Sequence, residues 1–120
     1  MATALTALVA FVALQHVAFG VLEAFLWETR TGRRVFGQSK EQAAATAVMA
    51  KNQGLYNGFL AAGLAWSLVA DAAMAGPLRV FFLSCVVVAG LVGGLTASWR
   101  IVPVQALPAA IALALHFAAN

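Results

Sequence analysis

The sequence predicts an all-α membrane protein, a bundle of four transmembrane helices with both termini on the same, non-cytoplasmic side. Three observations predict it. The first is composition: 63% of the 120 residues are hydrophobic and only 9% are charged. A soluble domain this short buries too small a fraction of its surface to hide so much apolar area, so lipid is the expected solvent. The second is that four apolar runs alternate with charges or turn formers. The third is a lopsided distribution of basic residues between the two ends of those runs.

The first run, Ala4 to Leu26, is read as helix 1, at about residues 4–26. Ala18-Phe19-Gly20 has the small-x-small form of a signal-peptide cleavage site, but no basic residue precedes the run, so helix 1 is expected to be retained. Charges and turn formers follow from Glu28 to Lys40, with Gly32 and Gly37 as breaks. Ser39 followed three positions later by Gln42 fits a capping box and starts helix 2, expected over about 39–71. Gly76-Pro77 should end any continuation, and Pro77 suits a first helical turn, which gives helix 3 over about 78–98. Trp99-Arg100 leaves room for a tight turn before helix 4, at about 101–118. All four helices belong to a single domain spanning 1–120.

Orientation follows from charge. Arg30, Arg33, Arg34, Lys40, Lys51 and Arg100 flank the 1–2 and 3–4 loops, against Arg79 alone at the opposite end. Positive-inside bias puts both loops in the cytoplasm, and the expected location is the bacterial cytoplasmic (inner) membrane. Trp27 and Trp99 then lie at the inner interface and Trp66 toward the outer one. The net charge of +3 is thus a topology signal, and no soluble basic face exists for nucleic acid. The single cysteine, Cys85, can form neither an internal disulfide nor a metal cluster. Gly54, Gly58 and Ala62 recur every four positions along helix 2, as do Gly90 and Gly94 along helix 3. Such stripes let backbones approach closely in lipid, within the bundle or in a homodimer through Gly54/Gly58 or Gly90/Gly94.

The polar residues of these spans are the candidate site. Asn52, Gln53, Tyr56 and Asn57 cover an arc of about 140° on helix 2, beside the small-residue arc. An amide left unpaired in hydrocarbon costs several kcal/mol, so this face should look inward or at water. On helix 1, His16, Glu23 and Trp27 fall within about 40° of one another, and His16 and Glu23 are separated by about 10.5 Å along the axis. Glu23 and His16 are the candidate catalytic pair, because intramembrane ionisable groups are costly and mark functional sites. Gln105 on helix 4 is bracketed by Pro103 and Pro108, and Pro108 removes the backbone donor that would serve the Val104 carbonyl. In the predicted topology Glu23, Asn52, Gln53, Tyr56, Asn57 and Gln105 share the cytoplasmic third of the membrane. The expected arrangement is a polar-floored pocket roofed by His16, with Trp27, Asn52, Gln53, Tyr56, Asn57 and Gln105 holding the ligand.

No metal or cofactor is expected. His16 and His116 differ in depth by about 12 Å and cannot ligate one haem iron within a subunit. The axial spacing of His16 and Glu23 likewise keeps them off one ion without further ligands.

Glu23-Ala-Phe-Leu-Trp27, Val35-Phe36-Gly37, the helix 2 segment from Asn52 to Gly63, and Gln105-x-x-Pro108 resemble a bacterial family of four-helix membrane proteins catalogued as domain of unknown function 1304. The resemblance spans nearly the whole chain. It implies that His16, Glu23, Trp27, Asn52, Gln53, Tyr56, Asn57 and Gln105 occupy the family's recurring positions. The helix 3 segment departs from the pattern at Val92, where an aromatic is expected. The resemblance implies a fold and no activity.

The function expected from these residues is binding of a lipophilic or amphiphilic small molecule in an intramembrane polar pocket. Acid–base chemistry such as isomerisation fits it, with Glu23 as proton carrier. The alternatives are a small dimeric proton-coupled transporter, on the general plan of small multidrug exporters, and a structural or assembly subunit without catalysis. The long 1–2 connection and amides gathered at one end of helix 2 tell against the transporter.

Overall fold

The computed structural model describes residues 1–120 as an all-α chain with no strands. Helix α1 runs Ala2–Phe25, α2 Arg30–Phe36, α3 Lys40–Val69 and α4 Ala72–Thr96, and a π-helical turn at Val102–Ala106 leads into α5, Leu107–Ala118. The chain divides into two compact units, Met1–Leu14 with Leu60–Asn120, and Gln15–Phe59.

The first unit holds the larger apolar core. Val9, Val12, Leu64, Leu83, Val86, Ala109 and Ala112 are fully buried there. Helix α4 starts at Ala72 rather than near Leu78, because Asp71 caps it: its Oδ1 accepts the Met74 N–H at 3.0 Å. Gly76 and Pro77 therefore lie inside the helix instead of ending one. Pro77 is close enough to the N-terminus that its missing donor removes one bond from a helix of 25 residues. The expected helix 4 is likewise not uniform. Pro108 cannot serve the Val104 carbonyl, and the chain widens into a π turn in which the Leu107 N–H bonds to the Val102 carbonyl. Gly90 packs on this turn: a Cβ at Gly90 would stand 2.7 Å from Ala106 Cβ and 2.8 Å from its backbone nitrogen. His116 is buried and faces Gly76, and Asn120 Nδ2 donates to its carbonyl at 2.7 Å.

The second unit is built from the end of α1, α2 and the greater part of α3. The connection expected to be irregular between Glu28 and Lys40 contains the short helix α2, and Gly32 is inside it rather than a break. Thr29 caps this helix, its Oγ1 accepting the Gly32 N–H at 3.2 Å and donating to the Leu26 carbonyl at 2.6 Å. Gly32 packs so tightly on the Leu26 carbonyl that no side chain fits. Gly37 ends α2 at φ 63°, ψ 40°, the left-handed conformation that glycine adopts without strain. The capping box is present: the Ser39 N–H donates to Gln42 Oε1 at 2.9 Å and the Gln42 N–H to Ser39 Oγ at 3.1 Å.

Two helices, α1 and α4, are long and apolar enough to cross a membrane, with mean hydropathies of 2.1 and 2.2. The expected four spans go beyond this. Helix α3 has the length, at 30 residues, but Lys51, Asn52, Gln53 and Asn57 dilute its hydropathy. Val102–Ala118 is apolar but shorter than α1 and α4.

The glycine contacts set a testable contrast. Gly90→Leu should destabilise the protein by about 1–3 kcal/mol through overpacking against Ala106. A Cβ at Gly58 meets nothing within 4 Å, so Gly58→Ala should be silent or raise the melting temperature by relieving the glycine's helix cost. Thermal unfolding of the two variants in mild detergent checks both signs.

Candidate functional site

The site forms in the second unit, where α1 and α3 cross antiparallel. A Cβ at Gly54 would stand 2.8 Å from the Gly20 carbonyl oxygen and 2.9 Å from the Ala24 nitrogen, and one at Gly20 would lie 3.0 Å from the Gly54 carbonyl oxygen. The backbones touch because no side chain separates them. This approach brings Glu23 and Asn57 together: Asn57 Nδ2 donates to Glu23 Oε1 at 2.8 Å.

Glu23 is 3% exposed. Its second carboxyl oxygen, Oε2, is buried and accepts no hydrogen bond of standard geometry. The Gln53 side chain faces the same carboxyl from outside that geometry. Beside Glu23 opens a cleft of about 420 Å³, lined by Ala24, Phe25, Trp27, Glu28, Thr29, Ala47 and Lys51 as well as Glu23 itself. Trp27 is clamped: its Nε1 donates to Thr46 Oγ1 at 3.0 Å, and its ring lies against Phe36 with centroids 4.7 Å apart. Thr46 is held in turn by donating to the Gln42 carbonyl at 2.8 Å. Helix α2 thus fixes one wall of the cleft through Phe36.

Of the residues expected to make the site, Glu23 and Trp27 line the cleft, and Asn57 orients Glu23. Asn52, Gln53 and Tyr56 are exposed, and of these the Gln53 side chain reaches the Glu23 carboxyl; Tyr56 packs edge-on against Phe59. His16 is fully buried on α1 with its ring edge-on to Phe19, and it is not among the cleft's walls. Gln105 is half-buried in the π turn of the first unit. Three contributions are absent from the sequence-based site. Gly20 and Ala24 form a small-x-x-x-small pair that marks the α1 side of the crossing. Glu28 and Lys51 add charge to the cleft, and Thr46 with Phe36 positions Trp27. The pair on α1 is legible from its spacing, whereas Thr46 and Phe36 carry no sequence signal.

Asn57→Leu should leave a buried carboxyl oxygen without its donor and destabilise the protein by about 1–3 kcal/mol. In the Glu23→Leu background the same change should cost much less. A double-mutant cycle of unfolding free energies measures that difference.

The family model described as "Protein of unknown function (DUF1304)" matches residues 10–117. The chain is also 33% identical over 108 residues to the uncharacterized protein YpaA of Lactococcus lactis subsp. lactis (strain IL1403), covering 88% of this chain and 90% of that protein. No solved structure matches the chain.

Proposed function

Because the chain belongs to the DUF1304 family, whose description carries no activity, we propose a function from the chain's own geometry: a small integral membrane protein that binds a lipophilic or amphiphilic small molecule in the cleft at the end of α1. One observation carries this reading. A carboxyl group that is 3% exposed, oriented by Asn57 through one oxygen and approached by the Gln53 side chain, lies on the wall of a cleft of about 420 Å³. Burying a carboxyl group costs stability, and a buried acid on the wall of a cleft supports a role for it there. Glu23 is then the group that accepts or delivers a proton on the bound molecule, in acid–base chemistry of the isomerisation type.

Several features support lipid as the surrounding solvent. Large apolar side chains point outward on long helices, among them Phe25, Val69 and Leu95 at 79%, 83% and 89% exposure. Apolar surface on that scale is stable in hydrocarbon and a liability in water. In this reading α1, α3, α4 and the segment from Val102 to Ala118 are the spans of a protein of the bacterial cytoplasmic membrane. The basic segment around Arg30, Arg33, Arg34 and Lys40 faces the cytoplasm. The cleft then opens at the membrane interface, where an amphiphile presents its polar end. His16, on the α1 turns before Glu23, is a second protonatable group on the same helix.

Mass spectrometry of small molecules that co-purify in mild detergent tests the proposal. Wild type should retain a discrete lipophilic compound that Glu23→Gln, folded to the same melting temperature within a few degrees, releases. Only bulk lipid in both would sink the binding role.

A further inference from the structure

We propose that two copies of the chain pair in the membrane through the outward face of α4, an inference that rests on α4 being a span and not on the role proposed for the cleft. Phe81, Ser84, Cys85, Val88, Ala89 and Val92 line a shallow groove of about 510 Å³ on that helix. At 100° per residue they occupy an arc of about 140°, with Cys85 near its middle. The face turns away from the core, since Leu83, Val86 and Gly90 on the opposite side of the same turns are buried.

Ser84 decides what covers this face. It is the middle residue of the 25-residue α4, about 18 Å from either end, at a depth the membrane keeps from water. Thr46, Ser67 and Thr96 donate their hydroxyl hydrogens to carbonyls of their own helices, whereas Ser84 makes no hydrogen bond within the chain. A hydroxyl without a partner in hydrocarbon is costly, and lipid tails supply none. The exposed residues of α1 from Phe11 to Phe25 show the face that lipid alone requires, apolar throughout. A second copy in the same orientation brings its own Ser84 hydroxyl and Cys85 thiol to the same depth by symmetry. Shape points the same way. Ser84, Cys85 and Ala89 are small and lie among Phe81, Val88 and Val92, so the backbones of a symmetric pair approach at mid-span while the larger side chains pack around the contact. This is a different face from the glycine stripes, of which Gly54 packs on Gly20, and Gly90 and Gly94 on Ala106 and Val102.

The test oxidises bacterial membranes containing the full-length protein with copper phenanthroline, and Cys85, the chain's single cysteine, supplies the probe. Copies paired on this face oppose their Cys85 thiols, so a disulfide-linked dimer should form. In a Cys85→Ser background Val88→Cys should also cross-link, severalfold more than Leu14→Cys, a position halfway along α1 that is more exposed, at 69% against 60% for Val88. The Leu14 variant thus reports random collision. Ala89→Phe, at an exposed position where folding is not threatened, should reduce the Cys85 cross-link severalfold, and Ser84→Ala should weaken it. Sedimentation equilibrium in mild detergent reads the same pair without a thiol. Wild type should have the mass of a dimer and Ala89→Phe that of a monomer, with unchanged helical circular dichroism. Cross-linking of Leu14→Cys as strong as that of Cys85 and Val88→Cys, a Cys85 cross-link indifferent to Ala89→Phe and Ser84→Ala, or a wild-type monomer by sedimentation would overturn the pairing.

Discussion

The site depends on a contact without side chains. Where α1 and α3 cross, Gly54 lies against the Gly20 carbonyl and the Ala24 backbone, so the helices meet at backbone distance. Only that proximity lets so short a side chain as asparagine span from α3 to the Glu23 carboxyl. Were the helices held apart by ordinary side chains, Glu23 would be buried with both oxygens unserved, at a cost of several kcal/mol. The small residues thus precede the acid in the physical order of dependence.

Around this crossing two side chains of the cleft are held in place by polar partners. Trp27 Nε1 and Glu23 Oε1 each have a partner within the second unit, and those partners set the orientation of the two side chains. Oε2 has none of standard geometry. Helix α2 contributes through packing rather than chemistry. Thr29 and Gly37 define its two ends, and Phe36 braces the indole.

The first unit shows how helices absorb their breakers. Pro77 sits within α4 because the Asp71 cap anchors an earlier start, and Pro108 is accommodated by a π turn against which Gly90 packs. In both places a local signal that reads as an end of helix is overridden by a neighbour that supplies or relocates a hydrogen bond. Gly32 repeats the lesson in the second unit, where tight packing on the Leu26 carbonyl demands glycine within a helix.

The sequence by itself determined the all-α character, the extents of α1 and α3 to within two residues and the capping box at Ser39 and Gln42, and it singled out Glu23 and Asn57, which hydrogen-bond each other. These rest on periodicity, composition and hydrogen-bonding capacity, which are properties of a segment alone. Tertiary structure decided which polar side chains of α3 reach Glu23: Asn57 bonds it at 2.8 Å and Gln53 approaches the same carboxyl, while Asn52 and Tyr56 are exposed. It also decided that Gly20 is the partner of Gly54 and that Thr46 and Phe36 hold Trp27. Wheel angles place residues on one helix relative to each other. They say nothing of where the second helix crosses, and a shift of one turn along that crossing would have given Glu23 a different partner.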